Sequence, residues 1–277
     1  MTAPVFFDPN QLQALRAAAN VAPLRPRVPL WAGVSMIGSV EPDFLSQIGL
    51  SPLYDMNSVL LKEEQFGCVG WRVLGDLTLG LNRVAVALRE AGLSGAWRNE
   101  QLAVTDPHGH RLGTIERAAV RPLGITTRAV HLLGQAPDGR FWVQQRAFNK
   151  PNDPGLWDTL MGGMVSSADT LQTALARETW EEAGLHLAGL QALRYGGRIH
   201  TCRPAPDGGG AGYLDEHLDW YHCTVPDGVV PVNQDGEVAQ FALMDGHALM
   251  QKMRQNEFTL EAMLIQAALL DSAHLAP

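Results

Sequence analysis

Three glutamates, Glu178, Glu181 and Glu182, stand at i, i+3 and i+4. On a helix that spacing puts three carboxylates on one face. Like charges so placed destabilise an isolated helix by roughly 0.2–0.5 kcal/mol per pair. A hard divalent cation reverses that sign, because Mg²⁺ and Mn²⁺ take oxygen ligands and bridge to substrate phosphates. For three glutamates alone, a solvated acidic face is the plainer explanation. Their neighbours argue for more. Asp169 can cap a helix that starts near Thr170. Leu171, Ala174 and Leu175 recur at helical spacing and predict a core-facing stripe. Gly184 falls where a helix is closed by a left-handed residue.

Residues 163–185, GMVSSADTLQTALARETWEEAGL, hold Gly163, Arg177, Glu178, Glu181, Glu182, Gly184 and Leu185 in fixed register. The stretch is close to the pattern G-x5-E-x7-R-E-U-x-E-E-x-G-U, the Nudix box. The chain therefore resembles a Nudix hydrolase, a family that cleaves diphosphate linkages. Asp169 stands where the family has Glu, and Thr179 where it has an aliphatic residue. The resemblance implies a strand, loop and helix around Mg²⁺ or Mn²⁺. It implies Glu178 and Glu182 as main metal ligands, Glu181 close behind, and the Gly163 carbonyl as a further ligand. It also implies that Arg177 pairs with the acid at position 169. The implied fold class is α/β: a Nudix α/β/α sandwich with a mixed sheet, preceded by a smaller α+β domain. The expected division is residues 1–118 for the accessory domain and 119–277 for the Nudix domain.

Further candidates lie outside the box. Asp235-Gly236-Glu237-Val238 opens a strand near the C-terminus. Related folds place an acid there against the metal cluster, which makes Glu237 a candidate catalytic residue. The alternative is a turn carboxylate, since Asp-Gly is ordinary turn chemistry. Arg146 and Lys150 follow the strand before the box and could clamp the diphosphate, Arg by a fork and Lys as a point charge. Trp157, Trp220 and Tyr221 could stack on a heteroaromatic ring, although such residues are more often core. His200, Cys202, His222 and Cys223 match no common zinc spacing. Gly208–Gly210 is no phosphate loop, because no Gly-Lys-Ser/Thr follows.

The resemblance reaches beyond the box. Ile115-Glu116-Arg117-Ala118-Ala119, Gly124-Ile125, Val130-His131-Leu132, Gln145-Arg146, Lys150-Pro151 and Pro154-Gly155-Leu156-Trp157-Asp158 look like a subgroup with an extra N-terminal domain. That subgroup includes Nudix partners of thiamine pyrophosphokinase, which remove phosphate from oxo and oxy thiamine diphosphates. A nucleoside diphosphate derivative is the alternative substrate. Isopentenyl diphosphate isomerases share parts of these stretches, but they use a nearby Cys and His. Leu160-Met161-Gly162-Gly163-Met164 has neither, and a carbon-acid mechanism needs such a proton carrier. A non-catalytic Nudix-fold sensor usually loses box glutamates, and here all three helical ones remain.

Length and composition bound the rest. The chain has 277 residues, 46% hydrophobic content and a net charge of −8. That size suits one large or two modest domains. The charge argues against nucleic-acid backbone binding. Cys68, Cys202 and Cys223 form no disulfide framework and suggest a reducing compartment. No apolar run approaches the roughly 20 residues of a membrane span, and residues 1–20 lack the basic leader of a signal peptide. The expectation is a cytoplasmic protein acting on a small-molecule diphosphate, with no nucleic-acid or membrane partner; a homodimer is left open.

Periodicity and turn residues predict helices at 8–20, from 42, 77–93, 247–255 and 259–270. They predict an extended proline-rich segment at 22–29 and a hairpin around Gly38. Strands are expected at 102–105, 111–116, 127–133, 141–145, 157–161, 190–202, 219–225 and 237–243. A long mobile loop is expected at 203–217.

Overall fold

The computed structural model describes residues 7–50 and 58–274, with side chains up to residue 270. The first six residues of the stretch tested for a leader, and the extreme ends of the two expected domains, lie outside the described residues.

Helix α1 (Pro9–Ala19) is capped by Asp8, whose side chain accepts from the Asn10 amide, with proline in the first turn. Strands β1 (Val28–Ala32), β2 (Ser35–Val40), β3 (Leu60–Gln65) and β4 (Cys68–Val73) form a sheet in the order β2-β1-β4-β3. Helix α2 (Leu77–Glu90) starts on an Asp76 cap and covers that sheet. The hairpin of β5 (Gln101–Thr105) and β6 (Arg111–Glu116) follows. These strands and α2 share a core that includes Leu30, Trp71, Leu81, Leu88, Ile115, Leu123 and Ile125, whereas Leu15 and Ala19 of α1 pack with Leu264 and Ala267 near the C-terminus.

The second sheet has seven strands. They are β7 (Thr127–Gln135), β8 (Phe141–Arg146), β9 (Trp157–Asp158), β10 (Met161–Met164), β11 (Gln191–Ala205), β12 (Gly212–Thr224) and β13 (Val238–Met244). The main path runs β11-β12-β7-β8-β13. β12 is parallel to β7 and the other pairings are antiparallel, so the sheet is mixed. Helix α3 (Leu171–Ala183) covers one face, where Val130 and Leu132 meet Ala174 and Leu175. Helices α4 (Gly246–Arg254) and α5 (Leu260–His274) cover the other, where Leu133 meets Ile265. Alternate β7 side chains thus serve opposite layers, as a strand buried on both sides requires. This is the expected α/β/α sandwich with a smaller α+β part before it.

β7 and β8 pair only at Gly134–Trp142 and Gln135–Phe141. Beyond that point they splay: Met161–Met164 of β10 takes β7 and Trp157–Asp158 of β9 takes β8. The expected single strand at 157–161 is therefore two short strands on different partners. The gap between them opens the sheet beneath α3.

Several boundaries differ from expectation for local reasons. The first hairpin turns at residues 33–34, where Gly33 has φ 58°, and not at Gly38. Gly38 lies inside β2, where a β-carbon would come 2.6 Å from the Leu123 carbonyl oxygen. Gly38→Ala is expected to lower the melting temperature by about 3–10 °C through overpacking; an unchanged melt would show that this contact relaxes freely. Val28 and Pro29 of the expected linker already belong to β1, whose parallel pairing with β4 starts at Leu30, after the proline that lacks an N–H. The helix expected from 42 is a short 3₁₀ segment, Phe44–Ile48. The expected long loop at 203–217 is mostly strand. β11 and β12 pair continuously to Ala205–Gly212, and Gly208, Gly209 and Gly210, all at positive φ, close the turn. β3 and β4 carry no clean alternation in sequence and were not expected.

Candidate active site

Helix α3 carries the acids and is tightly bounded. Thr170, not Asp169, is its cap: the Thr170 hydroxyl accepts from the Thr173 amide at 3.2 Å, and Thr173 Oγ1 accepts from the Thr170 amide at 2.8 Å. Asp169 stays outside the helix, which frees its carboxylate for Arg177. Arg177 donates to Asp169 Oδ2 from Nε at 3.0 Å and from Nη2 at 2.8 Å. The Asp in place of Glu still makes this pair. At the other end Gly184, with φ 63°, closes the helix, and a β-carbon there would come 2.7 Å from the Val232 carbonyl oxygen. Thr179 is buried and satisfied, its hydroxyl donating to the Leu175 carbonyl at 2.6 Å.

The three glutamates differ in environment. Glu182 is 2% exposed and sits under the gap between β7 and β8. Its Oε2 accepts from Gln144 Nε2 at 2.8 Å and from the Gly162 amide at 3.0 Å. Burial raises its pKa to about 8, against the pull of Lys150. Burial also raises Glu178, to about 7, against the opposing charge of Arg177. Glu181 is the outer one, its side chain 42% exposed and held by Arg177 Nη1 at 3.0 Å. Arg177 Nη1 also donates to Glu178 at 2.9 Å. Burial opposes the Arg177 charge, but Glu178, Asp169 and Glu181 together hold the guanidinium more firmly protonated than usual.

Glu237 is brought to the same place by a different route. Asp235 Oδ1 accepts from the Glu237 amide at 2.8 Å, and Asn233 Oδ1 accepts from the Asp235 and Gly236 amides. This turn aims Glu237 at Lys150, with which it forms an ion pair. Burial works against the Glu237 charge, but Lys150 wins and holds its pKa below the usual value. Lys150 Nζ is also 3.9 Å from Glu182 Oε1, so it bridges the two acids. Arg146 leans toward Asp158, 3.6 Å away, and donates to the Asn152 carbonyl at 3.1 Å.

Of the expected site residues, the box glutamates, Gly163, Arg177, Arg146, Lys150 and Glu237 line one cleft of about 300 Å³, and Asp169 and Gly184 do not. Among the described residues no three His, Cys, Asp or Glu side chains are already arranged to hold a metal; the acids are engaged by Arg177 and Lys150. The residues nevertheless fit a hard divalent cation. They offer carboxylate and carbonyl oxygens, the donors such ions prefer. Buried Glu182 and half-buried Glu178 both have raised pKa values, so their ionised forms call for added positive charge. At Gly163 a β-carbon would overlap the Glu178 carboxylate, so a glycine is what lets acid and strand backbone come together.

The cleft also holds residues that the sequence did not single out as site residues. His131 packs on Gly162, with Nδ1 3.0 Å from Thr159 Oγ1. Glu216 and the Arg203–Glu261 pair lie in the same cleft, as do Glu100 and Arg117 from the N-terminal part. A signal existed for Glu216: Leu214, Glu216, Leu218 and Trp220 alternate, and a carboxyl in an apolar row marks a buried charge. None of Trp157, Trp220 and Tyr221 lines the cleft; each packs in or against a core cluster. None of the three cysteines lines it either.

The model of the NUDIX domain family matches residues 125–263, half of the chain. This chain belongs to the Nudix family. An uncharacterised Nudix hydrolase of Pseudomonas aeruginosa is 34% identical over 105 residues, covering 38% of this chain and 60% of that protein. Nudix hydrolase 20, chloroplastic, of Arabidopsis thaliana is 29% identical over 181 residues, covering 61% and 45%. Isopentenyl-diphosphate Delta-isomerase of Streptomyces avermitilis is 33% identical over 109 residues, covering 39% and 54%. The chain spans about half the length of these curated relatives. No described helix is long and apolar enough to cross a membrane.

Proposed function

We propose that the chain is a metal-dependent hydrolase that cleaves a diphosphate linkage in a small molecule. We further propose oxythiamine or oxothiamine diphosphate as substrate, released as the monophosphate. The observation that carries the hydrolase reading is the pairing of buried Glu182 with half-buried Glu178 in a cleft that also presents Lys150 and Arg146. The substrate reading is supported by the subgroup resemblance around Val130-His131-Leu132 and Pro154–Asp158.

In this reading Gly163, Glu178, Glu181 and Glu182 hold Mg²⁺ or Mn²⁺. The bound metal would supply charge neutralisation on the diphosphate and polarise water and phosphorus. Lys150 and Arg146 bind phosphate oxygens, and Arg177, fixed by Asp169, keeps the outer glutamates in place. Glu237 or a box glutamate takes the proton of the attacking water. An isomerase of the isopentenyl-diphosphate kind would use a Cys together with a His; His131 lines this cleft, but no cysteine does.

Arg146→Ala and Lys150→Ala are each expected to raise KM about tenfold or more, the worth of a charge-assisted hydrogen bond. Initial-rate kinetics check this, and an unchanged KM in both would remove them from phosphate binding. Residues 1–118 act as an accessory domain that walls the cleft. Glu100→Gln should therefore move KM more than kcat, and a thousandfold loss of kcat with the fold intact would contradict that role.

A phosphate-release panel with Mg²⁺ or Mn²⁺ tests the whole reading. Oxythiamine and oxothiamine diphosphates should lead. NADH, ADP-ribose or a nucleoside triphosphate leading by tenfold in kcat/KM would reject the thiamine reading in favour of a nucleotide.

A further inference from the structure

The cleft continues past the glutamates along β7. Gly162, whose amide bonds Glu182, is in register with His131, and Glu216 is in register with Thr127. The two positions are four residues apart, about 13 Å along a strand. Ala129, between them on the same face, is small and lines the cleft with Leu214. A diphosphate at the metal end would thus place its organic half over Ala129 and Leu214 with its far edge at Glu216.

Glu216 is 7% exposed, yet it is incompletely satisfied. Thr127 Oγ1 donates to its Oε1 at 3.0 Å. Among the described residues, Oε2 receives no hydrogen bond and no Lys or Arg forms an ion pair with it. Burial pushes its pKa up and Glu261 adds repulsion, while Arg121 relieves part of it. Glu261 itself is occupied by Arg203 at 2.8 Å. Oε2 opens to the cleft, and a ligand that covers it must offer a donor in place of water or leave it unpaired. A hydrocarbon chain would leave it bare. A sugar hydroxyl is a weaker match than a polarised N–H in a neighbourhood that holds a second carboxylate.

We infer that Glu216 is a specificity residue that accepts a hydrogen bond from an N–H of a nitrogen heterocycle in the organic half of the substrate. The inference rests on the diphosphate reading and narrows its substrate class. Glu216 touches no phosphate in this arrangement, so it acts on binding and not on bond cleavage.

The test is equilibrium binding by calorimetry, without turnover. The probes are oxythiamine monophosphate, AMP, a hexose phosphate and phenyl phosphate. The wild-type protein should bind one of the two heterocyclic phosphates most tightly. Glu216→Gln keeps an acceptor for Thr127 but turns an amide donor toward the ligand; Glu216→Leu removes the acceptor. Both should weaken that heterocycle at least tenfold and leave phenyl phosphate unchanged, with melting temperature as the check on folding. Equal weakening of all probes, or none, would overturn the inference. So would tighter wild-type binding of the hexose or phenyl phosphate. Binding through Glu216 without phosphate release from any diphosphate would support this inference and remove the hydrolase reading.

Discussion

Glu182→Gln is expected to lower kcat by roughly 100-fold or more, the usual cost of losing a key electrostatic group. The fold should survive the change. The amide oxygen can take the place of Oε2, which accepts from Gln144 and from the Gly162 amide. With its pKa near 8, the metal-free carboxyl is already mostly protonated at neutral pH, and an amide mimics that state. The melting temperature without metal should therefore stay within about 2 °C, given the few degrees that one kcal/mol moves it. The added stability from Mg²⁺ should disappear, since it comes from binding to the native state alone. Glu181→Gln should cost less, because Glu181 is half out of the cleft and held by Arg177. Steady-state kinetics and melts with and without Mg²⁺ decide the matter. Unchanged kcat in Glu182→Gln, or full wild-type activity in excess chelator, would sink the assignment.

The reason these acids were legible in sequence is local. The spacing of Glu178, Glu181 and Glu182 fixes their face as soon as a helix forms, and Leu171, Ala174 and Leu175 fix the helix. Gly163 and Gly184 occupy positions where a β-carbon has no room. Such signals survive in a single sequence because they lie within one strand, loop and helix. The cap shows the limit even there: Thr170 and Asp169 are both good caps, and the reciprocal bonds with Thr173 decide for Thr170.

What lay hidden depends on register between distant strands. His131 meets Gly162 because β10 pairs β7, and Glu216 meets Thr127 because β12 runs parallel to β7. Neither pairing is written in local periodicity. The splay of β7 from β8, which lets Gln144 and the Gly162 amide reach Glu182, appears in sequence only as a short apolar run. The docking of the N-terminal hairpin on the box is of the same kind. The Ser167 amide donates to the Gln101 carbonyl at 2.7 Å, and Arg111 donates to the Ser167 carbonyl at 2.7 Å. The loop that carries Asp169 is thus held by residues more than fifty positions away.

Proton competition gives the second large effect. Glu178 and Glu182 have pKa values of about 7 and 8 in the fold, above their ordinary 4.5. Between pH 4.5 and about 7 the unfolded chain has released both protons while the native state keeps them, and from 7 to 8 it still keeps that of Glu182. The native state then binds more protons, so the contribution of these groups to stability falls as pH rises. It is fully present below 4.5, falls progressively from there, and is gone once pH has risen through the native values of about 7 and 8. A divalent cation needs the ionised forms, so its binding releases these protons. From pH 6 to pH 8 the affinity for Mn²⁺ should climb by roughly two orders of magnitude or more as that competition fades. Calorimetry in buffers of different ionisation enthalpy should count close to two protons released per ion at pH 6, by the same linkage. Glu182→Gln isolates one of the two groups: without metal, its melting temperature should gain on wild type as pH rises from 6 to 9. An Mn²⁺ affinity that is flat over this range would mean that neither Glu178 nor Glu182 is a ligand.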